Sequence, residues 1–444
     1  MGSDQRLTLL RVVEKTCTIS TFILTTEGKK IQGAPHLLCL CGSLCNMKSV
    51  FIKDMAYRKA RIALTVVSVA CLVLLILLMG GMMDALKMQA RDYVESVDRQ
   101  AEAGVVWLSS ERSGSTFAGF SLLNSEYLEV FTRVKGVDRE TPLSPLIFAQ
   151  ARPIINGKER KAVVVGYKLG KLGGPSERDI TDPASPFYPI TGRLFQSSQY
   201  ESWRPEDIPP PEVIVDEWTG LEIGQTIELS GKPLRVVGKT KGRLFVFDTP
   251  LLFMDIRTAQ NTILDNIIYI NTMLVKAGKD YSESQLANDI KELSNSTGSV
   301  RVDVHTGSQI VKIILANFVD EPMKGVRALR ILLWLATGLI VAMITYVTTM
   351  EKSREIGVLK AIGASDRYVV SLILKQVITM AVSGAALGII LAIVSARFFP
   401  IMVLMSVWES VFVAVITIAV CSYGGYLAAK RATAVDPMIA FRGR

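Results

Sequence analysis

Glu351-Lys-Ser-Arg-Glu-Ile-Gly-Val-Leu-Lys-Ala-Ile-Gly-Ala-Ser365 decides how the rest of the chain is read. Ile356, Leu359 and Ile362 recur at three-residue spacing, which predicts a short amphipathic helix with one apolar face. Gly363 suits the C′ position that ends such a helix, and Ser365 suits the N-cap that opens another. One reading of this segment is a helix resting on lipid. The other is a docking element for a cytoplasmic protein, with Glu355 and Lys360 as its polar rim.

Both neighbours of the segment are apolar runs of bilayer length. A spanning helix needs about 20 apolar residues to cross roughly 30 Å of hydrocarbon. Ile331–Met350 precedes the segment and Gln376–Ala396 follows it, while Ile62–Met83 and Ser410–Ala429 are two further uncharged runs. Charges stand at both ends of each, which argues against buried helices of a large soluble enzyme. The sequence therefore predicts a membrane domain of four transmembrane helices, with a large α+β extracytoplasmic domain inserted between helices 1 and 2. The domain boundaries expected are a basic segment 47–61, spans 62–83, 331–350, 366–396 and 410–429, an outer domain 84–330, the elbow 351–365, an outer hairpin 397–409 and a tail 430–444.

Composition agrees. Of 444 residues 49 % are hydrophobic and only 20 % charged, with mean hydropathy +0.33, which excludes disorder. Segments 47–61, 351–375 and 430–444 together hold fourteen basic and five acidic residues, an excess equal to the net charge of +9. Alternate threading puts these three segments on one side, and the positive-inside rule assigns that side, with both termini, to the cytoplasm. Lys324, Arg327 and Arg330 at the outer end of the second span count the other way. The basic excess is thus a topology signal with membrane lipid as its partner, and no nucleic-acid role is expected.

The outer loop reads as short strands at Gly104–Leu108, Ala162–Gly166, Val213–Val215, Leu234–Gly238, Leu244–Phe247, Ile267–Leu274 and Val300–Val304, with a helix at Glu283–Leu293. Gly220–Gly238 reads as two strands around a Ser-Gly-Lys-Pro turn. Proline-rich stretches at 183–189 and 205–211 read as loops, the second a candidate divide between two lobes, and the charged segment Asp84–Arg99 reads as a stalk continuing the first helix. The loop has no Cys, so its own core must hold it. Residues 1–46 carry Cys17, Cys39, Cys41 and Cys45. The spacing C-x-C-x3-C beside His36 matches no standard zinc site, and the preferred reading is that translation starts at Met47.

Chemistry is sparse. The chain has no P-loop and no H-E-x-x-H, and His36 and His305 are its only histidines, so no catalytic residue, metal ligand or cofactor-binding residue is assigned. The four uncharged runs also lack the ionisable groups that proton- or sodium-driven transporters use. Any work on a substrate needs an energy source outside these helices.

Ser353-Arg-Glu-Ile-Gly-Val-Leu-Lys-Ala-Ile-Gly-Ala-Ser365 resembles the cytoplasmic motif of the MacB/FtsX family of ABC-transporter permeases. Ala428-Ala-Lys-Arg-Ala-Thr-Ala-Val-Asp-Pro-Met-Ile-Ala-Phe-Arg442 resembles that family's tail, and Gly220–Gly238 is similar to a hairpin of its outer domain. The resemblance covers residues 47–444 and implies a homodimer or heterodimer of permeases in the cell inner membrane. It further implies a separate cytoplasmic ATPase that binds the ATP, as in DevC-like export permeases, and a periplasmic adaptor. The docking residues it singles out are Glu355, Ile356, Leu359, Lys360, Ile362 and Gly363. Export of a lipid, lipoprotein, peptide or small hydrophobic compound is the implied function. The alternative is an FtsX-like transmembrane regulator that activates an extracytoplasmic partner without transport.

Overall fold

Among the described residues, four helices are long and apolar enough to cross a membrane, and the large domain lies between the first and second. The computed structural model describes residues 59–117, 121–196, 210–297, 301–399 and 401–433. The readings for residues 1–46, for the basic segment before Lys59 and for the tail motif beyond Thr433 lie outside the described residues. Residues 1–64 group as a unit of their own, of which only the start of the first helix is described.

Helix α1, Lys59–Ala101, has 43 residues. At 1.5 Å per residue it runs about 65 Å, roughly twice the hydrocarbon thickness. Its charged second half leaves the apolar run at Asp84 and stands outside it as a stalk. The sheet that it carries contains β1 (Val105–Ser110), β2 (Leu143–Ala151), β3 (Ala162–Tyr167), β4 (Glu212–Asp216), β5 (Thr226–Leu229), β6 (Lys232–Thr240), β7 (Thr249–Asp255), β8 (Thr272–Lys276) and β9 (Val302–Thr306). Their spatial order is β9-β1-β8-β2-β3-β7-β4-β6-β5, extended at the β5 edge by two-residue strands at Ile154–Ile155 and Lys158–Glu159. The pairs β3–β7 and β4–β6 are parallel and the others antiparallel. Strands from both sides of the proline-rich stretch 205–211 belong to this one sheet.

Alternate residues of the central strands enter two separate cores. Trp107, Phe148, Val163, Val165 and Phe253 join the core that receives Leu86, Tyr93 and Val97 of the stalk. Val106, Leu108, Ile147, Val164 and Leu252 join the opposite core, under α2 (Ile256–Ile263) and α3 (Glu283–Thr297). Both faces are covered, so these strands read as continuous apolar runs.

Ser230 and Gly231 form the left-handed turn between β5 and β6, while Lys232 and Pro233 already belong to β6. Two expected strands are shorter. Residues 267–271 form no part of β8: Asp265 and Asn266 adopt left-handed conformations after α2, and Ile267 and Ile268 remain exposed on a loop. The strand at Leu244 ends at Phe245, because Phe247 and Asp248 turn left-handed.

Helix α4 (Gly307–Ile314) begins with a Thr306/Gln309 capping box and continues through a π-helical segment, Leu315–Asp320, into α5 (Glu321–Glu351). Helices α6 (Ser353–Ala361), α7 (Asp366–Ala396) and α8 (Val407–Thr433) complete the chain. Glycines let the membrane helices approach closely. A Cβ on Gly424 would sit 2.7 Å from the Gly338 carbonyl oxygen, and one on Gly388 would sit 2.8 Å from that of Ala70.

Candidate functional site

Two places connect the parts of the molecule: the elbow between α5 and α7, and the junction where the bundle meets the outer domain.

The elbow starts at Lys352, whose backbone (φ −90°, ψ 8°) breaks α5 from α6. It closes with a Schellman motif, in which the Ala364 N–H donates to the Leu359 carbonyl (3.0 Å) and the Gly363 N–H to that of Lys360 (2.9 Å). Gly363 takes φ +103°, a conformation that only glycine adopts without strain. The Ser365 hydroxyl then accepts from Tyr368 N–H and caps α7. Gly357 is buried against the bundle and Ile356 half-buried, while Leu359 is exposed and Ile362 is 83 % exposed. Val358, absent from the three-residue spacing, adds a third exposed apolar side chain. Glu355 is exposed. Lys360 is largely covered and pairs with Asp366 at 2.6 Å, bracing α6 against the first turn of α7. The motif thus offers a small apolar patch held at a fixed angle to α7.

At the outer junction, Arg243 precedes the Leu244–Phe245 strand and lies 12 % exposed. Its Nη1 donates to Asp92 Oδ2 (2.8 Å) and Ser96 Oγ (3.2 Å) of the stalk, its Nη2 to the carbonyls of Pro186 and Tyr188, and its guanidinium lies 5.5 Å from the Phe187 ring centroid. The Arg243 N–H donates to Asp216 Oδ2 (2.6 Å), which also accepts from Thr240 Oγ1 (2.9 Å). Burial pushes the Asp216 carboxyl above its usual value despite these bonds. Asp179, fully buried, accepts from Ser176, Ser185 and Phe187 N–H and shapes the loop that Arg243 grips.

The three cations at the outer end of α5 are paired: Lys324 with Glu321 (2.6 Å), Arg327 with Asp320 (3.6 Å) and Arg330 with Glu409 of α8 (2.9 Å). Arg243 and Asp92 carry no signal in periodicity or motif, and they lie 151 positions apart. Asp216 caps the turn at Trp218 locally, but its bonds to Thr240 and Arg243 span 24 and 27 positions.

Two family models match the chain. The MacB-like periplasmic core domain covers residues 62–293, over half of the chain, and the FtsX-like permease C-terminal covers residues 328–437. An uncharacterised ABC transporter permease of Mycobacterium tuberculosis is 24 % identical over 407 residues, spanning 88 % of this chain and 98 % of that protein. The macrolide export ATP-binding/permease protein MacB of Rhodopseudomonas palustris is 21 % identical over 362 residues, 76 % of this chain and 54 % of that protein. Among solved structures, the periplasmic region of MacB from Actinobacillus actinomycetemcomitans aligns with 48 % of this chain and 93 % of its own, at 14 % identity and a TM-score of 0.31.

Proposed function

The chain belongs to the MacB/FtsX family of ABC-transporter permeases, and from that premise we propose that it couples ATP hydrolysis by a separate cytoplasmic ATPase to movement of its outer domain, driving export. The observation that carries this reading is the elbow. An apolar patch of Val358, Leu359 and Ile362 stands exposed at the end of the bundle opposite the outer domain, fixed to α7 by the Schellman turn and the Lys360–Asp366 pair. Six residues, Glu355, Ile356, Leu359, Lys360, Ile362 and Gly363, form or frame the docking surface in this proposal. In this reading the ATP is bound by the partner, and coupling requires no cofactor of this chain's own.

A separate ATPase is supported by the mycobacterial relative, which is matched along 98 % of its length and is named a permease alone. Export is supported over transmembrane regulation by the MacB-like core domain, since MacB is named for macrolide export. The cargo class is proposed as a lipid, lipoprotein, peptide or small hydrophobic compound, taken up with a periplasmic adaptor and by a dimer of permeases. Cytoplasmic termini are supported by the fourteen basic residues of 47–61, 351–375 and 430–444, which outnumber the three at Lys324, Arg327 and Arg330 that count the other way. Affinity purification of the tagged chain from its native membranes tests the reading. An ABC ATPase recovered in near-equal amount is expected, and a cell-wall hydrolase recovered without any ATPase would favour the regulator instead.

A further inference from the structure

Asp248 holds together three parts of the molecule that no motif connects. Its Oδ1 accepts from the Gln89 side-chain amide, and its own N–H donates back to Gln89 Oε1 (3.2 Å), so the stalk grips both its side chain and its backbone. Its Oδ2 accepts from the Met402 N–H (3.0 Å) in the loop between α7 and α8. The Gln89 amide also reaches Met402 Sδ (3.9 Å), and Leu404 N–H donates to the Gly81 carbonyl of α1. Gln89 is buried. Three residues before Asp248, Phe245 packs on Phe318 of the π-helical segment at 5.6 Å between centroids, and one residue after it β7 begins.

The turn itself is strained. Phe247 (φ +62°) and Asp248 (φ +53°) are consecutive left-handed residues without a glycine. Such conformations are unfavourable for residues with a side chain and persist where surrounding contacts over-determine them. Gln89 and Met402 supply such contacts, together with the Thr249 hydroxyl, which donates to the Val246 carbonyl across the turn (2.8 Å).

We propose that Asp248 is the positioning residue of a latch, through which displacement of the α7–α8 outer loop reaches the centre of the outer sheet. The path is continuous: the elbow is braced to α7, α7 leads to the loop that holds Met402, Met402 holds Asp248, and Asp248 opens β7, which lies between β3 and β4. The proposal deepens the coupling function above and rests on it for the source of the motion, whereas the latch itself is a property of this chain.

Four versions of the full chain in nanodiscs test it: wild type, Asp248→Ala, Met402→Pro, which deletes the N–H donor, and the double variant. Hydrogen exchange of the peptides holding Gln89 and Thr249–Leu251 is the first readout. Met402→Pro should speed exchange there by about tenfold, the effect of losing one hydrogen bond to a carboxylate, and Asp248→Ala, which loses that bond and the one from Gln89, by at least as much. The double variant should add little to Asp248→Ala, as for two members of one interaction. Strictly additive effects, or no effect of Met402→Pro on Thr249–Leu251, would overturn the latch. The second readout uses the complex copurified with its ATPase. Adding ATP should change exchange of the β7 peptide in wild type but not in Asp248→Ala, although the variant still brings down the ATPase. An ATP response in Asp248→Ala equal to wild type would also overturn it. If wild type brings down no ATPase, the coupling function fails while the first readout still decides the latch.

Discussion

Arg243 and Asp92 form a 2.8 Å ion pair that pins the outer domain to the stalk helix, with the arginine almost entirely covered. The planar guanidinium serves four acceptors at once, two on the stalk and two on the Pro186–Tyr188 loop. Arg243→Ala leaves Asp92 without its cation and two carbonyls without their donor. It should destabilise the outer domain by about 3 kcal/mol, as when one partner of a buried pair is removed. Arg243→Lys should recover only part of this, since an ammonium cannot reproduce the fork. Thermal unfolding of the detergent-solubilised chain measures both, and a lysine variant as stable as wild type would show that charge alone suffices.

A second outcome concerns pH. Burial pushes the Glu283 carboxyl above its ordinary value, and the bond that it accepts from Gly307 N–H offsets this only in part. A raised folded-state pKa means that the folded form binds the proton more tightly. The contribution is fully present below the unfolded value, about 4.3, and is lost as pH rises through the raised value. Glu283→Gln keeps an acceptor for Gly307 and removes the titration. Its thermal midpoint should therefore fall less than that of wild type between about pH 4 and pH 7. Parallel curves for the two proteins would contradict the assignment.

Helix contact in the bundle gives a third. Gly424 has no room for a side chain against Gly338, whereas Gly325 faces open space. Gly424→Val should force α5 and α8 apart at a cost of about 1–3 kcal/mol, as overpacking does. Gly325→Val should be nearly neutral. Comparing the two variants' melting temperatures in the same detergent decides it.

The four helices and the domain between the first two were legible because hydrocarbon thickness imposes a length that no other constraint mimics. The elbow was legible for a different reason: Gly363 and Ser365 are local stop and start signals, and their geometry depends on neighbours within five residues. Leu244–Phe247 misled because neither Gly nor Asn marks its turn; distant Gln89 and Met402 hold it. Val358 escaped the three-residue spacing, which says nothing about which face the bundle leaves open. Polar anchors such as Arg243 are set by tertiary partners far away in sequence, so no window on the sequence could find them.

Topology supplies a fourth outcome. Reporter fusions after Thr240, on β6 of the outer domain, and after Arg444 should report opposite sides of the membrane. Agreement between the two reporters would contradict the four-span threading on which the charge argument rests.

Docking of the elbow on the ATPase stands or falls with Leu359, and Leu359→Asp probes it. Leu359 stands on the exposed patch with Val358 and Ile362. Covering the exposed third of Leu359 contributes on the order of 0.5–1 kcal/mol, and an aspartate forfeits that gain and, more costly, adds an unpaired charge at the interface. Loss of the patch should therefore weaken the complex at least tenfold. The measurement is recovery of the ATPase with tagged wild type and tagged Leu359→Asp from membranes holding equal amounts of each. Abundant ATPase is expected with wild type and at most a tenth as much with the variant; equal recovery, with equal ATP-dependent activity, would rule out docking through this patch.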